Sequence, residues 1–211
     1  MSEYRIVSVQ AYGKKKYKID IECIGTLVTM SLYPSEVRKY SIVEDSVISS
    51  EYYDELCDIL YKRGKERALY YLKTSDKTVA QMRTKLKEGF YPLPIIDRVI
   101  SFLEEYGYLD DYRYTSNFLN YNKNIKSTKR IKYDLSLKGI SRQIIDNVFN
   151  EFDEDTESKQ IEAYCRKKIK VDTDEKGYNK IMMALIRKGF KYEQVRSVLG
   201  RVADETGYRD I

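Results

Sequence analysis

The stretch Lys129-Arg130-Ile131-Lys132-Tyr133-Asp134-Leu135-Ser136-Leu137-Lys138-Gly139-Ile140 decides how the chain is built. Ile131 and Leu135 stand one helical turn apart and share a face. Gly139 then closes the helix, because glycine takes a left-handed conformation at little cost where the chain must turn. The arrangement returns 50 residues later: Gly189 follows Lys188 and precedes Phe190, with Ile181 and Leu185 matching Ile131 and Leu135. It also stands 50 residues earlier at Glu88-Gly89-Phe90, where Met82 and Leu86 take the same role shifted by one residue. Six residues after each glycine come Ile95, Ile145 and Val195; ten after come Val99, Phe149 and Leu199; thirteen after come Phe102, Phe152 and Val202. Those offsets lie on one helix face.

Each unit also has a leading helix. Apolar stripes run through Tyr53, Leu56, Ile59, Leu60, Ala68, Tyr71 and Leu72, then through Tyr114, Phe118 and Tyr121, and then through Ile161, Cys165 and Ile169. Gly64 marks a kink or break in the first. Three short helices can enclose a small core, so the expectation is three tandem units at 51–108, 109–152 and 153–211. Asp110-Asp111, at the first junction, reads as a helix N-cap, since neighbouring helical carboxylates diverge and do not converge on an ion.

Residues 1–50 follow another period. Tyr17, Ile19, Ile21 and Cys23 alternate with Lys18, Asp20 and Glu22, the mark of a strand with one buried face. Arg5 to Val9 and Leu27 to Leu32 are further β-rich runs, with Gly13 and Gly25 as turn signals between them. A small antiparallel meander is expected, followed by a short helix opening at Pro34-Ser35-Glu36. The fold class is therefore mainly α: tandem three-helix repeats in an elongated array, preceded by a small N-terminal β-rich region.

The 211 residues are 42% hydrophobic and 34% charged, the composition of a folded, well-solvated chain. The longest run without a charge, Cys23 to Ser35, falls short of the roughly 20 apolar residues that span a bilayer. No export leader is visible at Met1-Ser2-Glu3-Tyr4-Arg5, so a cytoplasmic location is expected. Histidine is absent, which removes Ser-His-Asp and Cys-His nucleophiles, His-bearing zinc sites and imidazole acid-base chemistry. Cys23, Cys57 and Cys165 are too widely spaced for a C-x-x-C site and read as buried free thiols. Neither G-x-G-x-x-G nor G-x-x-x-x-G-K-[ST] occurs. No cofactor and no catalytic site are expected.

The net charge of +5 is concentrated: residues 109–152 carry eight basic and five acidic side chains. Lys123, Lys126, Lys129, Arg130 and Lys132 fall between Tyr121 and Lys132 with no acid among them, and Lys138 and Arg142 follow at the next turn. Arg166, Lys167, Lys168 and Lys170 form a second cluster. Such clusters suit a phosphate backbone, where each neutralised phosphate releases a counterion, or an acidic protein surface, or a plain solvated helix face in a lysine-rich chain. The 21 tyrosines offer stacking faces, but those on apolar stripes, such as Tyr114 and Tyr164, are expected in the core.

The glycine turns, the junction Tyr106-Gly107-Tyr108-Leu109-Asp110-Asp111 and the segment from Lys129 to Ile140 resemble the RecX family of recombinase regulators. The resemblance covers about residue 51 to the end, and the strand region is similar to a leader found in some members. It implies a non-enzymatic, negative modulator of the RecA recombinase, acting in DNA repair and the SOS response. Such a protein binds the RecA filament on single-stranded DNA, lies in its groove, and limits filament extension, strand exchange and ATP hydrolysis. The resemblance puts Lys129, Arg130, Lys132, Lys138 and Arg142 at the filament surface; Lys123, Lys126, Arg166, Lys167 and Lys168 join them as candidates by charge. A monomer with no membrane partner is expected. Two other readings are a helix-turn-helix regulator on duplex DNA, which the mixed charge after Gly89 and Gly189 weakens, and a metal-dependent nuclease built from scattered carboxylates.

Overall fold

Strands β1 (Tyr4–Tyr12), β2 (Lys16–Cys23) and β3 (Thr26–Leu32) form the expected antiparallel meander. The computed structural model describes residues 4–123, 125–150, 156–170 and 173–205, and the chain separates into two compact units, Met1–Asp110 and Asp111–Ile211. Ile19 and Ile21 are buried, as their alternation predicts, together with Ile6, Met30 and Leu32. Ile24 and Gly25 join β2 to β3 with φ of 48° and 71°, the left-handed turn whose twist suits a two-residue hairpin. A fourth strand, β4 (Val47–Ile48), pairs with β1 and completes the order β3-β2-β1-β4. Two residues are too few to show alternation, which hides this strand in the sequence. Helix α1 (Pro34–Lys39) starts at the expected proline, and Glu36 accepts a hydrogen bond from the Tyr33 backbone N–H at 2.7 Å.

Helices α2 (Ser50–Thr74), α3 (Val79–Glu88) and α4 (Leu93–Glu105) complete the first unit. α2 runs unbroken through Gly64, which corrects the expected break. Gly64 serves close packing instead: a Cβ there would sit 3.0 Å from Val99 Cγ2 and 3.5 Å from the Tyr91 ring. Leu56, Leu60 and Ala68 of α2, Met82 and Leu86 of α3, and the inner face of α4 share one core with the sheet. Each large side chain so buried contributes about 1.5–3 kcal/mol by leaving water. Arg63 adds polar ties, pairing with Glu36 of α1 and donating to Ser31 O of β3 at 3.1 Å.

The second unit holds two three-helix groups. α5 (Asp111–Asn122), α6 (Thr128–Leu137) and α7 (Arg142–Asn150) enclose Leu119, Ile131, Leu135, Ile140, Ile145, Val148 and Phe149. α8 (Thr156–Lys168), α9 (Glu175–Arg187) and α10 (Tyr192–Glu205) enclose Ile161, Cys165, Ile169, Leu185, Phe190, Val195 and Leu199. α5 starts at the Asp110-Asp111 pair. Its buried face is Thr115 and Leu119, whereas Tyr121 is 84% exposed and not on the core stripe. Phe152 lies outside the described residues. Of the thiols, Cys165 is buried as expected and burial pushes it up to about 11, but Cys23 and Cys57 are only half-buried. Tyr114 and Tyr164 pack against the cores half-buried, and among the described residues the buried tyrosines are Tyr40 and Tyr91.

The three helical groups come into register when each is counted from its left-handed residue. Gly139 and Gly189 take φ of 82° and 95°, but Gly89 sits at −84° and the left-handed residue there is Phe90, at 56°. Counted from Phe90, Met82 and Leu86 fall eight and four residues before the turn, as Ile131 and Leu135 do before Gly139. Ile96, Val99 and Ile100 then align with Ile145, Val148 and Phe149 and with Val195, Val198 and Leu199, all buried. The partners expected in the first repeat, Ile95, Val99 and Phe102, are thus one residue out of register, and Phe102 is only half-buried. A phenylalanine in this conformation costs about 1–2 kcal/mol. Its ring gains in return an edge-on contact with Tyr12, at 4.9 Å, and lies 5.6 Å below the Lys18 ammonium.

Candidate functional site

α6 carries the basic segment, and its own sequence sets which of its faces is buried. The fully buried Ser127 hydroxyl accepts a hydrogen bond from the Arg130 N–H at 3.2 Å and caps the helix. Ile131 and Leu135 anchor the inner face. Opposite them, four residues apart, lie Lys129, Tyr133 and Leu137, with Arg130 beside them; Tyr133 is 53% and Leu137 68% exposed. Exposed apolar residues among cations were not expected here, although their phase relative to Ile131 and Leu135 encodes it.

Carboxylates engage many of the expected cations. Asp134 receives Lys126 at 2.7 Å and Arg130 at 3.1 Å. Asp146 of α7 receives Lys132 at 3.1 Å and Arg142 at 3.4 Å, and the Lys132 hydrogen bond first of all holds its carboxyl below the usual range. The Lys132 ammonium also stands 4.9 Å from the Phe149 ring, so this residue joins α6 to α7. Arg83 and Asp97 form the same bridge in the first unit, at 2.5 Å, seven residues either side of Phe90. Lys138 is half-buried over the Phe118 ring at 5.4 Å, and Lys123 is half-buried just beyond α5. Arg142 keeps 95% of its side-chain surface exposed. Lys129 is exposed without an ion-pair partner among the described residues.

The second cluster stands apart from the first. Arg166, Lys167 and Lys168 occupy the last turn of α8, where cations suit the helix dipole. Arg166 is engaged by Glu162 at 2.8 Å and Glu205 at 2.6 Å, while Lys167 and Lys168 are exposed without ion-pair partners among the described residues. The opposite end of α8 meets α6: Glu157 accepts from the Thr128 N–H at 2.6 Å. The Ser127 N–H donates to Lys188 O at 3.1 Å, and the Lys188 ammonium donates to Ile125 O at 3.1 Å. Glu157 and Lys167 are ten residues apart on α8, about 15 Å along the axis, so the two basic clusters do not converge. Among the described residues no group of three or more His, Cys, Asp or Glu is placed to hold a metal ion, and no helix is long and apolar enough to cross a membrane.

A regulatory protein RecX of Clostridium tetani is 36% identical over 152 residues, covering 70% of each chain. The chain belongs to the RecX family. Another regulatory protein RecX, from Clostridium acetobutylicum, is 27% identical across 97% of this RecX-family chain and 99% of its own length. The family profile described as the RecX first three-helix domain matches residues 65–103, from the second half of α2 to α4. Two solved RecX structures share the fold. One, a crystal structure of a regulatory protein RecX, has a TM-score of 0.57 at 18% identity, covering 95% of this chain and 99% of that one. The other, from Lactobacillus salivarius, has a TM-score of 0.58 at 22% identity, covering 69% of this chain and 97% of that one.

Proposed function

We propose that this RecX-family chain is a negative modulator of the RecA recombinase. It binds the RecA filament on single-stranded DNA as a cytoplasmic monomer and limits extension, strand exchange and ATP turnover without catalysis of its own. Its units at 51–108, 109–152 and 153–211 act as successive contacts along the filament groove. The observation that carries this reading, beside family membership, is the outward face of α6. There Lys129 and Arg130 flank Tyr133 and Leu137, which stay exposed and belong to none of the core clusters.

On this reading the ten candidate cations take graded roles, supported by their exposure and ion pairs. Lys129, Lys167 and Lys168, exposed without an ion-pair partner among the described residues, offer the direct contacts to acidic groove surface or DNA phosphate, joined by Arg130 and Arg142, which stay exposed although each also meets a carboxylate. Lys126, Lys132 and Arg166 hold carboxylates within the unit, and Lys123 and Lys138 pack half-buried beside them. The test is light scattering of preformed RecA filaments on single-stranded DNA, with ATP turnover measured in parallel. Addition of the protein shortens filaments and lowers turnover; unchanged length together with unchanged turnover rejects the proposal. Sequence-specific shifts of duplex fragments would instead support a helix-turn-helix regulator.

A further inference from the structure

Met1–Asp110 contains a concave site that the filament reading does not use. A cavity of about 520 Å³ opens between the β1–β2 hairpin, the middle of α2 and the end of α3. Its volume falls within the usual range for small-ligand sites. Four cations line it, Lys16, Arg63, Arg67 and Lys85, against the single lining carboxylate Glu88. Arg63 is already engaged by Glu36 and Ser31 O, and Lys85 by Glu88 at 2.8 Å. Lys16 and Arg67 meet no carboxylate among the described residues. Tyrosines contact both: the Lys16 ammonium stands 5.1 Å from the Tyr33 ring, and the Arg67 guanidinium lies 4.8 Å from the Tyr71 ring and donates to its hydroxyl at 3.1 Å.

Four cations gathered against fewer carboxylates leave Lys16 and Arg67 without a counter-charge of their own, and a bound anion removes the cost of that excess. The aromatic walls specify the anion further. Tyrosine faces and a guanidinium plane beside the positive groups fit a flat, π-rich body joined to the charge. We propose that this cavity binds a nucleoside phosphate, with the phosphate on Lys16, Arg67 and Lys85 and the base against Tyr33 and Tyr71. Side chains hold the phosphate here, so no glycine-rich loop is required, and no hydrolysis is implied.

The experiment is isothermal titration calorimetry of the full chain with deoxythymidine monophosphate, thymidine and inorganic phosphate. The nucleotide is expected to bind at least tenfold more tightly than either part. Lys16→Gln with Arg67→Gln lowers that affinity tenfold or more. Lys14→Gln with Lys15→Gln, which removes the same charge from the hairpin turn outside the cavity, leaves it unchanged. Should the first double variant melt below the parent, Lys16→Gln alone decides, since that ammonium makes no hydrogen bond among the described residues. Oligothymidylate with and without a 5′-phosphate separates the sources: tighter binding of the phosphorylated strand than of the mononucleotide assigns a strand end, weaker binding assigns free nucleotide. Absent binding, equal binding of phosphate alone, or equal losses in both double variants overturns the proposal. The assay contains no recombinase, so its failure leaves the filament reading standing.

Discussion

α3 and α6 are each ten residues long, and each starts behind a fully buried hydroxyl, Thr78 or Ser127. Each buries two residues four apart, and each is bridged to its following helix by one ion pair, Arg83–Asp97 or Lys132–Asp146. Their outer faces differ. α3 shows Thr84, Lys87 and Glu88, whereas α6 shows Lys129, Arg130, Tyr133 and Leu137. Packing constrains the inner positions alike, because a small core tolerates little change of volume. The outer ones lie outside the cores and are freer to vary, so that is where the repeats diverge and where recognition is best sought.

The comparison breaks first at the core. Leu86→Ala and Leu135→Ala should each cost about 3 kcal/mol, the usual loss for a fully buried leucine, read by urea denaturation followed by circular dichroism. A gap beyond about 1.5 kcal/mol between them would show that the two sites are not equivalent, since comparable burial and cavity size should give comparable losses.

Next come the turns. Gly189→Ala combines a φ of 95° with a Cβ 2.6 Å from Ser127 Oγ, where α6 begins, and should cost about 2–3 kcal/mol. Gly139→Val should cost about 2 kcal/mol for conformation alone. Phe90→Gly should cost less than about 1 kcal/mol, as relief of its backbone offsets the lost ring contact with Tyr12. Thermal melts of the three variants give the order directly.

A recognition effect of middle size sharpens the contrast of the outer faces. Lys129→Ala with Arg130→Ala should weaken filament binding about tenfold, and reduce its salt slope by about two where the contacts are phosphates. Lys87→Ala on α3 should leave binding unchanged. Equal losses on both helices in a co-sedimentation assay would count against α6 as the contact.

The smallest effect belongs to the bridging pair. The folded chain holds Asp146 below its ordinary range, so this contribution is complete at neutral pH and is lost as pH falls through that lowered value. Melting curves of Asp146→Asn should therefore approach those of the parent in acid and lie below them at neutral pH.

Much of the architecture was legible. Tyr17 to Cys23 showed its strand because one face is buried and the other wet; Ile131 and Leu135 showed their helix by the same logic at another period. β4 was hidden by its length, and Gly64 misled because the same missing Cβ that permits a turn also permits α4 to approach. The candidate site was legible as a basic segment and not as a surface. Asp134 lies within the quoted stretch, but its hold on Lys126 depends on how the loop before α6 folds back. Asp146 lies on another helix altogether.

By itself the sequence determined the periods, the turn positions of the last two repeats and the family, since each rests on short-range geometry repeated along the chain. Only tertiary structure decided that Phe90, and not Gly89, takes the left-handed turn, and which cations stay outward. Both depend on neighbours distant in sequence: Tyr12 and Lys18 around the Phe90 ring, and Asp146 of α7 against Lys132. A local pattern carries no record of what will pack against it.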